Sequence, residues 1–173
     1  MSVLEGPFAA TCVLLALAGV SKVARPAPTV GALRAVRWPA SFPLVRALGG
    51  GEIVVGVVAL VTGAPAVALL VALLHGAFAA FVAIAMRAGS PVQSCGCFGE
   101  TETRPSLVHL IADLVLAAGA LAVAAGGGVP SLADTLRDQP MAAVPFVILV
   151  AVAVQLLLTL LTDLPRALGS VRA

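Results

Sequence analysis

The chain has 173 residues, of which 61% are hydrophobic and only 10% charged, with a formal net charge of +2. Soluble globular chains carry about 45–50% apolar and about 25% charged residues. Too few polar side chains are present to coat a soluble globule, so disorder, a basic nucleic-acid binder and a soluble α/β enzyme are excluded. The mean hydropathy of +1.12 points to an integral membrane protein. Three cysteines are too few for a disulfide-rich scaffold.

A membrane-spanning helix needs roughly 20 mostly apolar residues. Five runs approach that length: residues 7–23, 49–62, 65–86, 106–125 and 141–161. The first run is read as a permanent span. A cleaved signal would want positive charge before its apolar core, whereas only Glu5 precedes Phe8. The linker that follows is expected to hold a short helix over residues 29–37, with Arg34 and Arg37 one turn apart. Trp38 suits the headgroup level as a lipid-facing anchor. The second run is the shortest, and spans the bilayer if it begins near Val45 with Arg46 snorkelling at the interface.

Thr62-Gly63-Ala64-Pro65 reads as a tight turn into the third run. Ser106 is the expected N-cap of the fourth, and Gly126-Gly127-Gly128 with Pro130 its end. Ala118, Ala122 and Gly126, like Ala59 and Gly63, are spaced for close helix packing within the bundle. Asp163 and Pro165 are expected to end the fifth run. The whole chain, residues 1–173, is thus read as a single all-α, polytopic membrane helical bundle. It has four core transmembrane helices and a fifth, C-terminal one over about residues 141–161.

With five spans, nine of the ten basic residues fall on one side: Lys22, Arg25, Arg34, Arg37, Arg46, Arg87, Arg104, Arg166 and Arg172. Only Arg137 falls on the other. Positive charge stays cytoplasmic, so the expected localisation is the cell membrane, with the N-terminus outside and the C-terminus inside.

Ionisable groups at membrane depth each need a reason. Glu52, His75, His109 and Asp113 are such groups. Glu52 is expected to pair with Lys22 or Arg46, and Lys22 and Glu52 to hold or tune the bundle. His75 is read as a hydrogen-bonded helix-packing residue. His109 and Asp113, four apart on one helix face, are candidates for proton transfer. They lie below a loop containing Ser94-Cys95-Gly96-Cys97-Phe98-Gly99. A Cys-x-Cys ring is strained, and strain makes a disulfide labile and therefore suited to redox exchange. Cys95 and Cys97 are the candidate redox pair. Two alternatives stand beside this: a zinc or copper site from Cys95, Cys97 and His109 completed by Glu100 or Glu102, and two inert loop thiols. The spacing is not that of a common zinc module, and no metal is expected. Cys12 is read as a small core residue.

Three strings carry a resemblance: Gly19-Val20-Ser21-Lys22, Gly51-Glu52-Ile53-Val54-Val55-Gly56 and Cys95-Gly96-Cys97-Phe98-Gly99. On these the chain resembles the methylamine-utilisation MauE family of DoxX-like small membrane proteins, over about residues 8–125. The resemblance implies a four-span core and a role in thiol–disulfide exchange during maturation of an exported protein. Its namesake client is methylamine dehydrogenase, and its expected partner a thioredoxin-like protein. The chain would then be a thiol–disulfide oxidoreductase. A distant likeness to vitamin K epoxide reductase implies a quinone acceptor, although this chain has no Cys-x-x-Cys. The alternatives are a non-enzymatic membrane scaffold for a thioredoxin-like partner, or a small-molecule or metal permease. No nucleic-acid partner is expected.

Overall fold

The computed structural model describes residues 4–87, 105–132, 134, 137 and 140–171. Within them lie six longer helices: α1 (Glu5–Ala24), α2 (Ala27–Ala35), α3 (Phe42–Thr62), α4 (Pro65–Arg87), α5 (Leu107–Ala125) and α6 (Pro140–Val171). No strand occurs among the described residues. Helices α1, α3, α4 and α5 are each long and apolar enough to cross a membrane, and α6 contains a shorter apolar stretch, Pro145–Leu161. Together they form a helical membrane bundle. In lipid the backbone must satisfy its own hydrogen bonds, which a helix does within one segment.

The second span is longer than its apolar core. Ser41 caps α3, its hydroxyl accepting from the Leu44 amide at 3.4 Å, and Pro43 sits in the first turn, where no amide is needed. The helix therefore starts at Phe42, with Arg46 on its exposed face.

Helix α1 is the centre of the bundle and packs most closely on α3. The buried face of α3 is Val45, Gly49, Glu52, Gly56 and Ala59. These spacings alternate between four and three, which keeps one seam turned toward a neighbouring helix. Two of the five are glycines, and they bring the backbones into contact. A Cβ on Gly49 would meet the Gly19 carbonyl at 2.6 Å, and one on Gly56 the Cys12 carbonyl at 2.7 Å. In hydrocarbon, where water drives no association between helices, such close packing is the main attraction.

Phe8, Cys12 and Leu15 of α1 join Ala59, Ala68, Val71, Ala72, Ala120 and Val123 in the main core. Cys12 is thus a core residue. On the other side of α1, Ala10 and Leu14 pack against Val154 of α6. The outward faces are apolar: Leu73, Val115, Leu149 and Leu156 are all at least 60% exposed. Such a surface is stable only against lipid.

The turn from α3 to α4 follows the expected glycine logic. Gly63 caps α3 with φ 60°, and its carbonyl accepts from Val129 at 3.0 Å. This bond ties the α3–α4 turn to the chain leaving α5, where Gly127 and Gly128 also take positive φ.

Several expectations differ from what is observed. The linker helix covers Ala27–Ala35 and ends before Arg37, which adopts φ 62°. Its end is closed by Arg34, whose guanidinium donates twice to the Ala40 carbonyl at 3.0 and 3.1 Å. Trp38 is half exposed, as an interfacial anchor should be, but its ring also packs on Phe81 of α4 with centroids 6.0 Å apart.

The stripe Ala118, Ala122 and Gly126 is exposed, so it does not pack within the bundle. Ala120 and Val123 are the α5 core residues instead. Asp163 and Pro165 do not end the last helix, which runs on to Val171. A proline removes one backbone hydrogen bond and kinks a helix without necessarily stopping it.

Candidate functional site

Lys22 lies in the last turn of α1, where the helix dipole favours a cation. The glycine seam holds α3 close enough for Glu52 to meet it. Lys22 Nζ donates to Glu52 Oε2 at 2.8 Å, with the two side chains 3% and 0% exposed. The ammonium also sits 4.8 Å from the Phe78 ring centroid and 3.5 Å from the Ala18 carbonyl. A carboxylate, an aromatic face and a carbonyl therefore surround the charge. Of the two cations the sequence offered to Glu52, Lys22 is the partner, and Arg46 lies on the exposed face.

A second polar pair lies deeper between α4 and α5. His75 faces inward on α4 along with Ala68, Val71, Ala72, Ala79 and Val82. Its Nδ1 is 3.1 Å from Asp113 Oδ1 on α5. With Asp113 ionised, this nitrogen carries the proton and donates it. Phe78 bridges the two pairs, its ring lying edge-on to the His75 imidazole at 5.9 Å between centroids.

His109 occupies the first turn of α5. Its Nδ1 lies 2.8 Å from the Ser106 hydroxyl. Ser106 takes the extended backbone of an N-cap, yet its side chain makes no cap bond to the helix amides and holds the imidazole instead. His109, Asp113 and His75 line one small cavity, of about 30 Å³, with Leu14, Phe78 and Leu161. A water needs at least about 10–15 Å³ of such space, and a bound aromatic ring a cavity on the order of 150 Å³. A larger apolar groove, about 300 Å³, opens between α5 and α6 beside Val115, Leu116 and Leu157, with no polar side chain in its lining.

Of the sequence-derived candidates, Lys22, Glu52, His109 and Asp113 all approach the bundle interior, and the first two bond directly. Asp113 reaches across to α4 rather than serving only as a same-helix neighbour of His109. Cys95 and Cys97 lie outside the described residues, as do Glu100 and Glu102. Among the described residues, no group of three or more His, Cys, Asp or Glu side chains is arranged to hold a metal ion.

A family model described as methylamine utilisation protein MauE matches residues 2–128. The chain belongs to the MauE family. The MauE match takes in α1 to α5, including Lys22, Glu52, His75, His109, Asp113 and the Cys-Gly-Cys string, and stops before α6. Comparison with curated proteins and with solved structures gives no match. Family membership and the apolar helices together make this a multi-pass membrane protein.

His75 is a hydrogen-bonded helix-packing residue, as the sequence suggested, but its partner was not foreseen. Its partner is 38 positions away, and no local spacing announces such a pair. The Ser106–His109 contact had a visible signal: a cap residue three positions before a histidine on the first helical turn.

Proposed function

We propose that this MauE-family protein supports thiol–disulfide exchange in the maturation of an exported protein, in a methylamine-utilisation setting. Cys95 and Cys97 are the exchanging pair. One thiolate attacks the disulfide of a thioredoxin-like partner or client and forms a mixed disulfide. The second thiol then attacks its neighbour, so the partner leaves as a dithiol and Cys95–Cys97 becomes the disulfide. The two thiol protons end on the partner's two sulfurs, with His109 and Asp113 as the groups that hold them in transit. The reverse reaction supplies disulfides.

The observation that carries this reading is positional. The Cys-Gly-Cys string falls within the matched residues and immediately precedes a helix whose first two turns hold His109 and Asp113. Redox-active thiols need a proton acceptor and a nearby positive field, and Arg87 and Arg104 flank the string in sequence. Lys22 and Glu52 keep α1 and α3 locked together. The basic residues orient the chain with its N-terminus outside and its C-terminus in the cytoplasm. That orientation would set the string facing the cellular thiol pool, so a partner would have to carry the exchange across the membrane to an exported client.

A Cys95→Ser, Cys97→Ser double variant tests the proposal. It is expected to insert and fold normally, and to lose support of disulfide formation in the client. Full client maturation in that variant would remove the redox reading. Retained co-purification of a partner with lost maturation separates exchange from simple scaffolding.

A further inference from the structure

A polar atom buried in hydrocarbon without a partner is costly, so its presence requires an explanation. His75 is 4% exposed, and its Nε2 has no hydrogen-bond partner among the described residues, because Nδ1 is the nitrogen facing Asp113. The same imidazole lines the cavity of about 30 Å³, together with His109 and Asp113. That volume accommodates a water, and three titratable side chains stand in its otherwise apolar wall.

We propose that this cavity is a water-binding site and that its water joins His75, Asp113 and His109 into one proton-sharing cluster between α4 and α5. Neutral His75 carries its proton on Nδ1 and donates it to the Asp113 carboxylate, leaving Nε2 to accept a hydrogen bond from the water. A proton arriving on that water from the His109 side passes to Nε2 while the Nδ1 proton moves to Asp113. One proton enters, one is stored on the carboxyl, and no other reactant is required. The charged and titratable groups around His75 are Lys22 from α1, Glu52 from α3, and Asp113 and His109 from α5. The α6 contribution to the cavity wall is the apolar Leu161.

This inference deepens the proposed function by naming the carrier of the thiol proton. Its test involves no cysteine, so either idea can fail without the other.

The chain has just two histidines, so ring-¹⁵N-histidine labelling of the full protein in lipid nanodiscs gives two imidazoles, assigned with His109→Gln. The expected result is a magnetisation-transfer peak between water and His75 Nε2. In Asp113→Asn the resonances of both rings should move. Leu116→Phe, which fills the cavity without adding or removing a titratable group, should abolish the water peak. Should that variant fail to fold, Ala18→Val fills the same space. Absence of a water contact at His75 in the unaltered protein overturns the proposal. So does a contact that persists once the cavity is filled.

Discussion

Replacing Lys22 with methionine is expected to cost about 3–5 kcal/mol of folding stability, the range for removing one partner of a buried ion pair. The cost comes from what remains. Glu52 is fully buried, and its Oε2 is held by Lys22 at 2.8 Å while its Oε1 has no partner among the described residues. Without the ammonium, the carboxylate is left in an apolar interior with neither counter-charge nor hydrogen bond. The double variant Lys22→Met, Glu52→Leu removes both charges and is expected to recover most of the loss, since apolar replacement of a whole buried pair is often neutral or stabilising. Reversible unfolding in mixed detergent micelles measures both variants against the unaltered protein. A single variant no less stable than the double one would falsify the role given to this pair.

The second large effect is expected within one glycine triplet. Gly49, Gly50 and Gly51 are adjacent in sequence but differ completely in surroundings. A Cβ on Gly49 would lie 2.6 Å from the Gly19 carbonyl oxygen and 2.9 Å from Lys22 Cβ, whereas one on Gly50 or Gly51 would meet nothing within 4 Å. Gly49→Ala should therefore push α1 from α3 and destabilise the bundle by about 1–3 kcal/mol, the usual cost of overpacking. Gly50→Ala and Gly51→Ala should be neutral or stabilising by up to about 1 kcal/mol, because alanine favours the helix. The same unfolding assay reads all three. Equal losses at the three positions would mean that the α1–α3 seam does not run through Gly49.

The membrane bundle was legible in the sequence because span length and turn chemistry are local. Gly63, Pro65 and the glycine triplet after α5 each announced a break that the fold makes. The Lys22–Glu52 pair was legible for a different reason: two charges near the same ends of neighbouring spans have few ways to avoid water's absence other than meeting. The His75–Asp113 contact was not legible, since it depends on the rotation of α4 and α5 about their axes. Rotation is set by packing across the interface, which composition does not reveal. The same unknown misled the reading of Ala118, Ala122 and Gly126. Small residues at four-residue spacing permit close approach, but they do not say whether a helix or lipid lies opposite. Asp163 and Pro165 misled because helix-ending residues act through local cost, which a long helix can absorb.

The proposed exchange requires Cys95 and Cys97 to act as a redox pair. Its most direct measurement is differential alkylation of the membrane-embedded protein followed by intact-mass analysis, on a Cys12→Ala background so that only the two loop thiols report. The protein is reduced, offered an oxidised thioredoxin-like protein, quenched in acid and alkylated. The expected result is joint protection of both thiols after oxidation, with equal appearance of partner dithiol, and their joint return on reduction. Thiols that remain fully alkylatable after exposure to the oxidised partner, with no partner dithiol formed, would contradict the account.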